Sequence, residues 1–165
     1  MKIALIILGA FAALVIIVVA VGLSLPVQHQ AVSAARFRQS PAEIFAVITD
    51  AKNFPSWRPS VKSVEILPDS VGRKRFRERG SDGSILYEIE EATPNTRLVT
   101  RIADRSLPFG GSWTYELLPA GDSTTLRITE NGEVYNPVFR FISRFVMGHT
   151  ATMDRYLQDL RNRLR

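Results

Sequence analysis

The sequence predicts an α+β domain, with a curved antiparallel sheet wrapped on a long C-terminal helix and one transmembrane helix in front of it. Three observations carry this. From Ile3 to Leu25 no residue is charged, and roughly 20 apolar residues at about 1.5 Å rise each span a hydrocarbon core of about 30 Å. The middle of the chain alternates apolar and polar residues, broken by turn residues, as half-buried strands do. Pro137–Leu164 instead repeats Val138, Phe141, Ile142, Phe145, His149, Met153, Tyr156, Leu157, Leu160 and Leu164 at helical spacing.

Composition narrows the function classes. The 165 residues carry a net charge of +5, no cysteine and two histidines. Disulfides and thiolate metal sites are excluded. His29 and His149 are too few, and too far apart in the sequence, for a usual histidine metal site. Neither a metal nor a cofactor is expected. Removing the apolar segment leaves roughly 140 residues, enough for one domain with a sizeable core.

The apolar N-terminus reads as a single-pass anchor over 1–25, a juxtamembrane linker over 26–30 and a domain over 31–165. A cleaved signal peptide has a shorter apolar run with a small-residue site close behind it. Here the candidate site Val32-Ser33-Ala34 lies well beyond the run. Lys2 and the free amino group favour a cytoplasmic N-terminus and an extracytoplasmic domain, while Arg36 and Arg38 argue the other way.

Ala31–Arg38 reads as the first strand. Ser40-Pro41-Ala42-Glu43 is a helix start: Ser40 caps, Pro41 suits the first helical position and Glu43 completes a capping box. That helix is expected to end near Asp50. Asn53–Pro59 is a short turn of helix or a loop, kept separate by its two prolines, with Phe54 and Trp57 pointing inward. Strands follow at Val61–Leu67, Arg73–Arg79, Ser84–Glu91 and Arg97–Ala103. Two further alternating runs flank Pro119–Ser123 and form a hairpin.

The hairpins set their own registers. Pairing Arg79 with Ser84 places Phe76 opposite Tyr87 and Glu78 opposite Ile85 on one face. Arg75 then faces Glu88, and Arg73 faces Glu90, on the other. In the last hairpin Leu117 falls opposite Leu126, Tyr115 opposite Ile128 and Trp113 opposite Glu130. That puts one carboxylate among large aromatics on an otherwise apolar face. Arg73, Arg75, Arg77 and Arg79 make a basic stripe without interleaved exposed aromatics, so no nucleic-acid partner is expected. The stripe reads as a solvated face, or as a docking face for anionic headgroups.

The order strand, helix, small helix, antiparallel strands and long final helix resembles the helix-grip fold of the START-like or SRPBCC superfamily. Ser40–Asp50, Phe54-Pro55-Ser56-Trp57 and the helix ending Met153-Asp154-Arg155-Tyr156-Leu157 carry the likeness, which covers roughly 31–165. Within that superfamily the chain looks most like bacterial polyketide cyclase/dehydrase-like proteins, from whose plainest soluble members the anchor is a departure. The resemblance implies a cavity between sheet and final helix that takes apolar or amphipathic ligands.

Trp57, Phe76, Tyr87, Trp113, Tyr115, Glu130, Phe145, His149 and Met153 are the candidate ligand-pocket residues, and plain core packing is the competing reading. Glu130 and His149 are the candidate acid–base groups. The competing readings are a rim carboxylate paired with an arginine and a hydrogen-bonded core histidine. Leu107–Gly111 is a candidate flap. The expected partners are a membrane and a hydrophobic small molecule or lipid. The expected role is a membrane-anchored binding module, with a cofactor-independent cyclase or dehydratase, or a domain with a collapsed cavity, as alternatives.

Overall fold

The computed structural model describes residues 2–81 and 83–165. It opens with helix α1 (Lys2–Ser24), strand β1 (Gln28–Phe37) and helix α2 (Pro41–Thr49), then a 3₁₀ turn at Ala51–Ser56. Strands β2 (Val61–Ser70), β3 (Arg73–Gly80), β4 (Gly83–Thr93), β5 (Arg97–Ile102), β6 (Phe109–Ala120) and β7 (Ser123–Val134) follow. The chain ends with helix α3 (Pro137–Ile142), a π-helical turn (Ser143–Met147) and helix α4 (Ala151–Arg163).

Among the described residues the seven strands form one sheet in the order β1-β7-β6-β5-β4-β3-β2, antiparallel throughout. Every step but one joins chain neighbours, because short turns can connect only adjacent antiparallel strands. β1 crosses to pair with β7, and α2 with the 3₁₀ turn fills that crossover. With α4 this makes the helix-grip arrangement.

The capping box forms as the sequence requires. The Ser40 hydroxyl accepts from the Glu43 backbone N–H, and the Glu43 carboxylate accepts from Ser40 N–H at 2.8 Å. This fixes the start of α2, whose Ile44 and Ile48 are buried. Those two residues join Phe54, Leu117, Leu126, Ile128, Met153, Leu157 and Leu160 in the core. Each such side chain contributes about 1.5–3 kcal/mol by leaving water.

Both hairpin registers match the sequence pattern. Phe76 pairs with Tyr87, Glu78 with Ile85 and Arg79 with Ser84. Leu117 pairs with Leu126, Tyr115 with Ile128 and Trp113 with Glu130. On the outer face the arginines are answered by carboxylates from several strands. Arg73 lies between Glu88 and Glu90, and Arg77 and Arg79 share Glu65. Arg75 departs from the ladder and donates to the Pro68 carbonyl at 3.0 and 3.1 Å. A stripe so paired is a solvated face that fixes register more than stability.

Several strand ends differ from expectation by one to three residues, β2 among them, running past Leu67 to Ser70 with a register shift there, and three differences bear on the site. β1 starts at Gln28, not Ala31, because β7 runs long enough to pair it back to Glu133. The candidate flap is strand in its second half: Phe109, Gly110 and Gly111 pair with Val134, Glu133 and Gly132. The long final helix is broken. Gly148 takes φ +75°, a left-handed conformation that ends the π turn, and α4 restarts at Ala151. The apolar spacing runs through the break because each piece has its own apolar face.

Candidate functional site

A cavity of about 510 Å³ lies between the inner face of the sheet and the C-terminal elements. Phe76, Tyr87, Ile89, Leu98, Trp113 and Tyr115 line its sheet side, Phe54 its 3₁₀ side, and Phe139, Ser143, His149 and Tyr156 its C-terminal side. Strand alternation puts the sheet residues there, since every second side chain faces the same way.

Of the candidate pocket residues, Phe76, Tyr87, Trp113, Tyr115, Glu130 and His149 line the cavity. The other three do not. Trp57 is buried behind it, edge-on to Tyr156 at 5.3 Å between ring centroids. Met153 is fully buried in the core. Phe145 is 59% exposed, because the π turn rotates it off the inward face onto Phe141, 5.0 Å away.

One polar group gathers around Glu130. The Trp113 indole N–H donates to its carboxylate. Among the described residues the basic side chain beside it is His29 rather than an arginine, with Nε2 3.6 Å from Oε1, an ion pair only when the imidazole is protonated. The His29 ring stacks on His149 at 4.0 Å between centroids and 25° between planes. His149 Nδ1 in turn lies 3.1 Å from Ser143 Oγ, and either atom can be the donor, depending on tautomer. The two histidines, distant in sequence, are thus neighbours. Gly132 makes room for this, since a Cβ there would overlap the His29 ring.

The proton affinities of this group converge. Burial pushes the Glu130 carboxyl above its ordinary range, against the Trp113 hydrogen bond. Burial and the neighbouring His149 push His29 down. Burial and Arg144 push His149 down. A carboxyl shifted upward and an imidazole shifted downward beside it have proton affinities drawn toward one another.

A second polar group closes the cavity near Arg58. Its guanidinium makes a two-pronged ion pair with Glu78, at 2.6 and 3.1 Å. It also sits over the Phe54 and Tyr156 rings, 5.0 and 5.2 Å from their centroids. Burial opposes its charge, but Glu78 and the tyrosines outweigh that and hold its pKa above the usual arginine value. The Tyr115 hydroxyl hydrogen-bonds Thr100 and Tyr156, and burial drives both phenols upward, so they stay protonated.

Sequence reasoning missed His29, Arg58 and Tyr156. His29 fell in the supposed linker. Glu78 on the inward face was the available signal for Arg58, since a buried carboxylate requires a partner. Tyr156 was legible only as one apolar-face residue among many.

Comparisons with known proteins agree with this geometry. A START superfamily protein from Mycobacterium smegmatis superposes with a TM-score of 0.66 at 19% identity, covering 82% of this chain and 97% of that one. The norcoclaurine synthase of Thalictrum flavum superposes at 0.66 with 13% identity, over 82% of this chain and 86% of the enzyme. The Zhui aromatase/cyclase from Streptomyces sp. R1128 gives 0.63 at 12% identity, over 84% of this chain and 96% of the cyclase. At such identities the likeness is one of fold. No curated protein matches the sequence. The family profile described as "Polyketide cyclase / dehydrase and lipid transport" matches residues 28–165, from the first residue of β1 to the chain end. With the helix-grip sheet and its cavity, that match places the chain in the polyketide cyclase/dehydrase and lipid transport family.

Proposed function

We propose that this chain is a membrane-tethered binding module for a hydrophobic or amphipathic small molecule or lipid, held between the sheet and the C-terminal elements. The cavity carries the reading. Its volume of about 510 Å³ falls within the range of small-molecule sites, about 300–1,000 Å³. Its wall is mostly aromatic and aliphatic, with polar groups gathered around Glu130 and Arg58. Such a wall suits an apolar body with one or two polar ends. Helix α1, 23 residues long and uncharged after Lys2, is long and apolar enough to cross a membrane. As an anchor it holds the cavity close to its lipid source. Lys2 at the N-terminus favours an extracytoplasmic domain, and an alkaline phosphatase fusion at Arg165 tests that side.

Native mass spectrometry of the detergent-solubilised chain tests binding. Co-purified lipid or apolar metabolite that leaves on denaturation is the expected result. A homogeneous empty protein that takes up no added lipid would count against it.

A second reading has its own support. In the Glu130–His29–His149 group the carboxyl is shifted up and the imidazoles down, the directions that suit acid–base work, and relatives by fold include a named cyclase. On this reading the chain is a cofactor-independent cyclase or dehydratase. Turnover lost in Glu130→Gln, with the cavity still binding ligand, would favour it over the first.

A further inference from the structure

The final third of the chain leaves an apolar surface where most of the domain is polar. Val138, Phe139, Phe145 and Val146 are 37%, 50%, 59% and 72% exposed. They sit together on α3 and the π turn, whereas exposed apolar residues elsewhere in the domain, such as Ile66 and Val71, lie apart in the sequence. Clusters of this kind mark interaction sites.

The position of α1 shows what covers the cluster. The element packed against α1 is α3. Gly22 is buried against the Pro137 backbone, so closely that a Cβ would run into the Pro137 carbonyl. Val18, Val19 and Val21 are half-buried beside it. The Arg140 guanidinium reaches back to the Leu25 carbonyl, at 2.7 Å, where a cation suits the helix C-terminus. If α1 crosses a bilayer, Val18–Gly22 lie inside the slab, because 23 residues at about 1.5 Å each barely exceed its thickness of about 30 Å. The element packed on them lies at the same depth. No acidic residue occurs between Val134 and Met153, while Arg140 and Arg144 do. Arg140 is held by the Leu25 and Tyr135 carbonyls, but Arg144 is exposed, and a long basic side chain on an apolar segment reaches for headgroups while its stem stays in the apolar layer.

From this we propose that Pro137–Met147 lies in the membrane interface beside the anchor, with Val138, Phe145 and Val146 bedded in the acyl chains of the leaflet where α1 ends. The occupant of the exposed face is lipid. The same segment walls the cavity through Phe139 and Ser143. One face of it therefore meets the bilayer and the other the ligand, and a lipid-like molecule passes between the two without crossing open water. The inference rests on the proposed anchor and adds a second, independent membrane contact.

The chain has no cysteine, so a single introduced thiol carries a fluorophore at one place. The full-length protein is reconstituted in phosphatidylcholine–phosphatidylglycerol vesicles containing doxyl-labelled lipid. Three variants are compared: Leu8→Cys in α1, Val146→Cys in the π turn and Val71→Cys on the β2–β3 turn. The labels at 8 and 146 are expected to be quenched several-fold more strongly than the label at 71. Quenching at 8 with position 146 no different from 71 overturns the inference and leaves the anchor standing. Quenching at none of the three removes the anchor and the inference together. A label at 146 shielded from both doxyl lipid and aqueous iodide means a second copy or protein partner covers this face, and also overturns it.

Discussion

Removing the Glu78 charge tests whether the cavity's far end is held by an ion pair or by packing alone. In Glu78→Gln the Arg58 guanidinium stays in place, 16% exposed by side chain, without its anion. Breaking a buried pair from one side costs about 3–5 kcal/mol. Arg58 keeps the faces of Phe54 and Tyr156, each worth about 0.5–2 kcal/mol to a cation, and it borders a cavity that water can enter. The loss should therefore fall at the lower end, about 3 kcal/mol. With a urea slope of about 2 kcal/mol per molar, the midpoint falls by about 1.5 M. The control is the double variant Arg58→Met with Glu78→Leu, which replaces both charges by apolar groups of similar size. It should lie within about 1–2 kcal/mol of the parent, on either side. Urea unfolding of the three proteins in one detergent, followed by tryptophan emission, measures both. A Glu78→Gln midpoint within about 0.3 M of the parent, or a double variant less stable than the single one, would refute the reasoning.

Two further outcomes bear on the Glu130 group. In Gly132→Ala the new methyl meets the His29 ring and the Glu130 carboxylate, so a loss of about 1–3 kcal/mol from overpacking is expected, with a shifted His29 imidazole resonance; a parent-like midpoint and spectrum would show that the ring has room elsewhere. Because the folded state holds the Glu130 proton more tightly than the unfolded chain, its carboxylate costs stability above its folded pKa, and that cost fades as pH falls toward the ordinary value of 4.5. Glu130→Gln should therefore be more stable than the parent at pH 8, with the difference shrinking on acidification. His29 has the opposite sign, since its lowered pKa withdraws stability as pH falls below 6.5. Paired thermal melts across pH separate the two, and a Glu130→Gln difference that grows toward acid would contradict the assignment.

The sheet was legible because its rules are local. Alternation fixed which side chains face inward, and the turn residues at Gly80–Gly83 and Pro119–Ser123 fixed the registers, down to Trp113 opposite Glu130. The break at Gly148 was not. A glycine in a helical pattern costs only about 1 kcal/mol, and the apolar spacing continues across it, so nothing local demands a bend. Phe145 was misplaced because it lies in the π turn that ends at this break, and it came to mark the outer surface instead of the cavity. His29 was hidden differently. Its strand is extended by pairing with β7, a long-range partner that no window around Gln28 contains. Half of the Glu130 group thus follows from period-two patterning, and the other half from how far two distant strands overlap.

The left-handed residue at Gly148 divides the last third of the chain between two environments. α4, 13 residues long, is held by Met153, Tyr156, Leu157 and Leu160 in the core, and its length matches a sheet crossing of about 20 Å. Helix α3 before Gly148 has no fully buried residue and packs chiefly on α1, with a smaller contact to β7. A straight helix would force one orientation on both, so any tilt of α1 would lever the core. If α1 is the anchor proposed above, a swivel between them would let α1 and its neighbour settle at the angle the bilayer sets while α4 keeps its grip on the sheet. Ser143 and His149 lie on opposite sides of that swivel and still meet at 3.1 Å, so the contact between them is the place where a change of angle would first be felt inside the cavity.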